Sequence, residues 1–237
     1  MIVKLVDKIS VFLPAYNEEK MLANTTQKVD EVLKKIAGDY EIIIVDDGSK
    51  DKTGEIADKL ASQNKKIRTI HHHPNRGYGA AVKSGTYVAH YPWIVLFDAD
   101  GQFDFTEIIK FFKKQKETDA DIVWGYVLQR KVPFVRKVNT FLWRTVVSLI
   151  FGLKVKWIDC GFRLFRKEVV QKIPKLESER GAFISSEFLI KAKRSGFKIV
   201  EVMVHHYPDI AGGSTGADLK VIVKSFVDLF RLWKKLR

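Results

Sequence analysis

The stretch WIVLFDADGQFD, Trp93 to Asp104, decides how the chain is read. Trp93–Phe97 is a short, continuous apolar run, the pattern of a strand covered on both faces. It runs straight into Asp98, and Asp100, Gln102 and Asp104 follow at every second position. The chain as a whole is basic, with 41 Lys and Arg against 28 Asp and Glu and a formal net charge of +13. Acids gathered at the end of a buried strand therefore need a local reason. Carboxylates at alternate positions past a strand end suit a hard divalent cation, magnesium or manganese, which takes oxygen ligands from one or two carboxylates and from substrate phosphates. A cation would also relieve the repulsion between neighbouring carboxylates. An Asp- and Gly-rich turn would put the same residues in the same place. Asp104 reads as the cap of the helix that follows.

Outward from this stretch, strand and helix alternate. Ile9–Ala15, Tyr40–Val45, Ile67–His71 and Asp121–Tyr126 read as further strands. Helical spacing covers Glu18–Ala37, with Asn17 as its N-cap, then Asp51–Asn64, Gly77–His90 and Phe105–Glu117. This order predicts an α/β fold, a mostly parallel central sheet flanked by helices. In such sheets ligands bind beyond the carboxyl ends of the strands. The polar clusters Tyr16-Asn17-Glu18, Asp46-Asp47, His71–Asn75 and Asp98-Ala99-Asp100 all fall at those ends, so they are expected on one rim.

The second half is less regular. Val135–Phe151 is apolar with Arg136, Lys137 and Arg144 interspersed; a short segment Asp159–Arg166, a helix near Ser185–Arg194 and a strand near Lys198–Val204 follow. There is no internal repeat, low-complexity tract or interdomain linker. One domain is expected over 1–237: a first half at about 8–125, a second at about 126–216, and an amphipathic helix at 217–237.

Several classes are disfavoured. A composition 46% hydrophobic is globular rather than disordered. One cysteine, Cys160, excludes an intrachain disulfide and fits a reducing compartment. The first residues lack a signal peptide's pattern, and no apolar run reaches the roughly 18 residues of a span. A cytoplasmic protein, soluble or peripheral on a membrane, is expected. The basic excess suggests an anionic partner, but no nucleic-acid module is present. Neither a GxxxxGK[ST] loop nor a GxGxxG after the first strand occurs. NRGYGAA, Asn75–Ala81, opens a helix and could bring backbone amides to a phosphate. Adjacent residues of His71-His72-His73 would point to opposite faces of a strand, which speaks against a shared zinc ion; His205 or His206 is the better histidine candidate for a contact with metal or diphosphate.

Together PAYNEE (Pro14–Glu19), VDDGSKDKT (Val45–Thr53), NRGYGAAVKSG (Asn75–Gly85), DADGQ (Asp98–Gln102) and DCGFRLFR (Asp159–Arg166) resemble a family 2 glycosyltransferase of the GT-A fold, in particular the dolichol-phosphate mannose synthase-like branch. The resemblance runs from Ile9 to about Gly216. It implies a metal-dependent inverting transfer from a nucleotide-sugar donor to a polyprenyl or dolichyl phosphate. It implies that Pro14, Ala15, Tyr16, Glu18, Val45, Asp47, Gly77, Asp98, Ala99 and Asp100 line the donor pocket, with Asp47 accepting from the base. Asp98, Asp100 and Gln102 would hold Mn2+ or Mg2+. Asp159 stands where many members carry the base; it would also suit the capping of the turn before Gly161. The branch usually has an Arg after the fifth strand, where Gly125-Tyr126-Val127 stands here, so Arg130 is expected to substitute. Asp209 and Thr215 stand where an Arg and a Lys would be expected. Arg136, Arg144, Arg163 and Lys167 remain as candidate cations. These departures open an alternative, a saccharide or other hydroxyl acceptor.

The tail from Asp218 carries Leu219, Ile222, Phe226, Leu229, Phe230 and Trp233 at helical spacing, with Lys220, Lys224, Arg231, Lys234 and Lys235 among them. Residues 218–237 could rest on an anionic membrane, or their apolar stripe could pack on the domain.

Overall fold

A computed structural model describes residues 4–128, 134–179, 181, 183–208 and 219–236, with the side chains of 134–139 and 219–225 excepted. Seven strands form one sheet: β1 (Val6–Ala15), β2 (Ala37–Asp46), β3 (Ile67–His71), β4 (Trp93–Phe97), β5 (Ile122–Tyr126), β6 (Phe162–Arg166) and β7 (Ile199–Met203). The helices are α1 (Leu22–Ile36), α2 (Thr53–Gln63), α3 (Tyr78–Val88), α4 (Ile108–Thr118), α5 (Phe134–Phe151), α6 (Lys167–Lys172), α7 (Phe183–Arg194) and α8 (Leu219–Lys235). The strand order is β3-β2-β1-β4-β6-β5-β7. All pairings are parallel except those of β6, which runs antiparallel to both β4 and β5.

The apolar runs become central strands because both faces of the sheet are covered. Ile9, Val11, Phe12 and Leu13 of β1, Ile42–Val45 of β2 and Ile94–Phe97 of β4 are all buried. Chain order reverses at β1, with β2 on one side and β4 on the other. Reversals of this kind open a crevice beyond the strands' carboxyl ends. Here Ala15 and Phe97 are the residues that end in it.

Glycine explains why α3 can lie so close to the sheet. A Cβ on Gly85 would stand 2.2 Å from the Phe12 ring. The expected helix Gly77–His90 forms because those glycines make room, against their low helix propensity.

Three expectations need correction. The helix read from Glu18 begins at Leu22 and stops at Ile36, and β2 takes Ala37 onward. Asn17 does not cap it: the position before the helix is Met21, without a side-chain cap. Asn17 instead has φ 58°; its N–H donates to Ser49 Oγ (3.0 Å) and its Oδ1 accepts from Lys50 N (2.8 Å). A turn that ties two rim loops outweighs a local cap. Helix α6, of six residues, was not anticipated, since a segment that short carries too little periodicity. Asp104 does cap the 3-10 turn Phe105–Glu107 that leads into α4, accepting from Thr106 N at 2.9 Å.

Candidate active site

The rim beyond β1, β2 and β4 gathers the polar clusters. Pro14 and Ala15 end β1 and are buried; Tyr16 beyond them is 43% exposed. Ala15 O accepts from Asp47 N at 2.9 Å, and Glu18 N donates to Thr53 Oγ1 at 2.7 Å, so the loops after β1 and β2 are tied side by side. Val45 is wholly buried and pairs in register with Pro14.

Asp47 is a structural hub. One oxygen accepts from His72 Nδ1 (2.6 Å) and Arg76 N (3.1 Å), the other from Asn75 Nδ2 (2.8 Å) and Gly77 N (2.7 Å). A carboxylate has about four acceptor sites, and four protein donors meet this one. Because Asp47 only accepts, His72 donates from Nδ1, and its Nε2 shares a hydrogen bond with Ser84 Oγ (2.9 Å). Asp47 thus shapes the 72–77 loop, in which Gly77 takes a φ of 99°. His72, Asn75 and Ser84 were not singled out individually; only the glycine-rich NRGYGAA run hinted at this loop.

His71 points elsewhere, with Nδ1 3.0 Å from Asp46 and Nε2 3.0 Å from Asp58. Both nitrogens face carboxylates, which requires two N–H donors. Burial works against the charged ring, but these two partners outweigh it and hold the His71 pKa above its usual value. His71 and His72 therefore serve separate networks.

Asp98 lies at the mouth of β4, where its N–H donates to Gly161 O at 3.0 Å. Its carboxylate accepts from the Tyr78 hydroxyl at 3.0 Å. Gly161 is required there, because a Cβ at that position would lie 1.7 Å from Asp98 Oδ2. Burial pushes the Asp98 carboxyl up, opposed by the charge of Arg163 and the bond from Tyr78. Ala99 is buried, and its carbonyl accepts from Thr25 Oγ1 at 3.1 Å. Asp100 turns back on itself to accept from Gln102 N (2.9 Å), with Gly101 between them at φ 72°. Gln102 O accepts from Tyr207 N (2.8 Å), so the acidic turn is braced by the loop after β7.

Asp159 is exposed in the loop before β6, two residues from the Gly161 that touches Asp98. Arg130, Asp209 and Thr215 lie outside the described residues, as does the side chain of Arg136. Arg163, one of the candidate cations, is only 2% exposed. Its Nε donates to Cys160 O (2.6 Å), its Nη2 to Ser185 Oγ (2.5 Å), and its guanidinium lies 4.1 Å over the Trp124 ring. It is a fixed positive charge behind Asp98 rather than a hand reaching outward. Lys167 is also away from the site, donating to His90 O at the opposite end of β4. His205 is held by Glu107 (2.8 Å), and the His206 ring stands against Phe103 (5.3 Å) and Trp157 (5.8 Å).

A mostly parallel sheet flanked by helices, with its strand order reversing at β1, is an α/β architecture of the GT-A type. The glycosyl transferase family 2 model matches residues 10–174, and the chain belongs to that family. It is 29% identical over 236 residues to Glycosyltransferase AglD of Haloferax volcanii, covering 97% of this chain and 37% of that protein. It is 35% identical over 217 residues to the dolichyl-phosphate beta-glucosyltransferase of Dictyostelium discoideum, covering 83% of this chain and 65% of that enzyme. The chain thus spans from just over a third to just under two thirds of these two relatives. Among solved structures it resembles glucosyl-3-phosphoglycerate synthase of Mycobacterium tuberculosis in complex with Mn2+, UDP-glucose and phosphoglyceric acid, with a TM-score of 0.72 at 19% identity, over 96% of this chain and 80% of that one.

Proposed function

We propose that the chain transfers a hexose from a nucleoside-diphosphate sugar, with a divalent cation at Asp98 and Asp100 and inversion at the anomeric carbon. The observation that carries this is the Asp98–Gln102 turn at the lip of the crevice, gripped from behind by Gly161 and Tyr78. The donor set fits a hard cation, because Asp98 and Asp100 offer two carboxylates two residues apart on one turn. Such a pair leaves coordination positions for diphosphate oxygens. Mn2+ or Mg2+ bound there would stabilise charge on the departing diphosphate. Gln102 keeps the turn in shape through its backbone. Tyr16, Glu18 and the Asp47-held loop would border the nucleoside, and Gly77 would let backbone approach the phosphates. With Asp47 engaged by four protein donors, its part in base recognition would be exerted through that loop.

The acceptor has two readings. The dolichyl-phosphate glucosyltransferase relative supports a polyprenyl or dolichyl phosphate, which is already ionised and needs no strong base. The chain's own residues favour the other reading, a saccharide or other hydroxyl. Arg163 is withdrawn into the core and Lys167 faces away, while exposed Asp159, two residues before the Gly161 that meets Asp98, would take the hydroxyl proton. The test is incubation with labelled UDP-glucose or GDP-mannose, Mn2+ and either acceptor type, for the native protein and for Asp159→Asn. Product on a hydroxyl acceptor, lost in Asp159→Asn, is expected on the second reading. A lipid-phosphate product that survives the substitution establishes the first. Asp98→Asn should abolish either product; full activity in that variant would overturn the site itself.

A further inference from the structure

Helix α5 presents an apolar surface to solvent. Phe141, Leu142, Leu149 and Ile150 are 44–80% exposed, while Val147 and Phe151 on the opposite side are buried. From Phe141 to Ile150 the only charged residue is Arg144. A surface helix normally shows water its polar face, so this one is inverted along its outer side.

Helix α8 extends the same surface. Its Leu229 and Leu232 are buried, whereas Phe226 and Phe230 are 39% and 55% exposed. Trp143 of α5 meets Phe226 edge-on at 5.2 Å, so the two helices are joined at that point. Phe230 stacks on Trp233 at 5.5 Å, and Lys234 Nζ sits 5.2 Å from the Phe230 ring. Lys234 is exposed beside them, and exposed Arg231 and Lys235 flank it, the first paired with Asp228 at 3.5 Å and the second with Glu177. Exposed aromatics thus adjoin a basic border.

The geometry points to an anionic lipid surface as the occupant of this α5–α8 face. Aromatic and aliphatic side chains would enter the headgroup boundary while the lysines meet lipid phosphates. Charge separates this occupant from a second copy: another chain would bring its own +13 to a border that is already basic. Nucleic acid would meet the charge but not the apolar arc. No helix among the described residues is long and apolar enough to cross a membrane.

The face also bears on the site by position. Trp143 Nε1 donates to Ser186 Oγ (3.1 Å), and the neighbouring Ser185 holds Arg163 behind Asp98. One helix, α7, therefore separates the proposed lipid face from the acidic turn. The surface is argued without reference to the acceptor, and its test leaves every substrate out.

The experiment is flotation of the full chain with phosphatidylcholine vesicles, with and without phosphatidylglycerol, free of polyprenyl lipids and nucleotide sugars. Binding is expected on the anionic vesicles and is expected to weaken as salt rises. Leu149→Asp should lower partitioning by about tenfold through lost apolar insertion, and Lys234→Glu by about tenfold through lost charge attraction. These side chains are outside the donor site, so thermal melting and nucleotide-sugar binding should stay as in the native protein. Absence of flotation with anionic vesicles overturns the proposal. So does a dimer in analytical ultracentrifugation that Leu149→Asp dissociates, because a second copy would then own the face.

Discussion

Gly161 shows how one missing atom can carry a function. Its Cβ would occupy the space of Asp98 Oδ2, at 1.7 Å, so any side chain there must push the carboxylate out of the turn. Gly161→Ala is expected to lose measurable Mn2+-dependent transfer and about 1–3 kcal/mol of stability from overpacking, read by activity assay and urea unfolding. Tyr78→Phe should act more gently. It removes the hydroxyl that donates to Asp98 and leaves the ring. Loss of such a supporting bond costs roughly 10–100-fold in metal affinity, so calorimetric Mn2+ titration in the presence of UDP should show weaker binding while the fold melts near its native temperature. The acids themselves were legible in LFDADGQ. Their support was not, because Tyr78 and Gly161 lie 20 residues before and 63 residues after Asp98 in the chain.

At the scale of elements, α3 and the β2–β3 rim show how packing overrides propensity. Gly85 lets α3 lie on Phe12, and Gly85→Ala should destabilise the protein by about 1–3 kcal/mol through the 2.2 Å approach to that ring. An alanine in a helix would otherwise stabilise, so denaturant unfolding gives opposite signs for the two effects. His71 binds the end of β3 to Asp46 at the end of β2 and to Asp58 of α2. Its folded pKa is raised, so the stability it contributes is fully present below the unfolded value near 6.5 and is lost as pH rises through the folded value. Stability measured from pH 5 upward should therefore fall across that window in the native protein, and the fall attributable to this group should vanish in His71→Gln. Helix α1 makes the complementary point. Its periodicity is plain in the chain, yet Asn17 serves the loop at Ser49 and Lys50 rather than the helix. Tertiary bonds of that kind compete directly with local caps.

For the whole molecule, the donor and its cation should act as a fold-stabilising ligand. A ligand at a hundred times its dissociation constant contributes about 2.7 kcal/mol, and for a chain of this size each kcal/mol moves the midpoint by about 2–4 °C. UDP-glucose or GDP-mannose with Mn2+ is therefore expected to raise the melting temperature by about 5–10 °C. The same mixture should do nothing for a variant carrying Asp98→Asn and Asp100→Asn, and an equal shift in that variant would mean that the sugar nucleotide binds elsewhere. The alternation of strands and helices, and the rim on which the polar clusters meet, were legible from apolar runs and turn residues, because these are local and periodic; the family was legible only from the resemblance of five motifs in order. Other features had no local signature. They include the reversal of β6, the burial of Arg163 against Trp124 and the four bonds that occupy Asp47. Each depends on which distant segments become neighbours, and burial and hydrogen-bond partners exist only once the sheet has closed that distance. The chain states what chemistry its residues can perform; the packed structure decides which of them face a substrate and which hold the others in place.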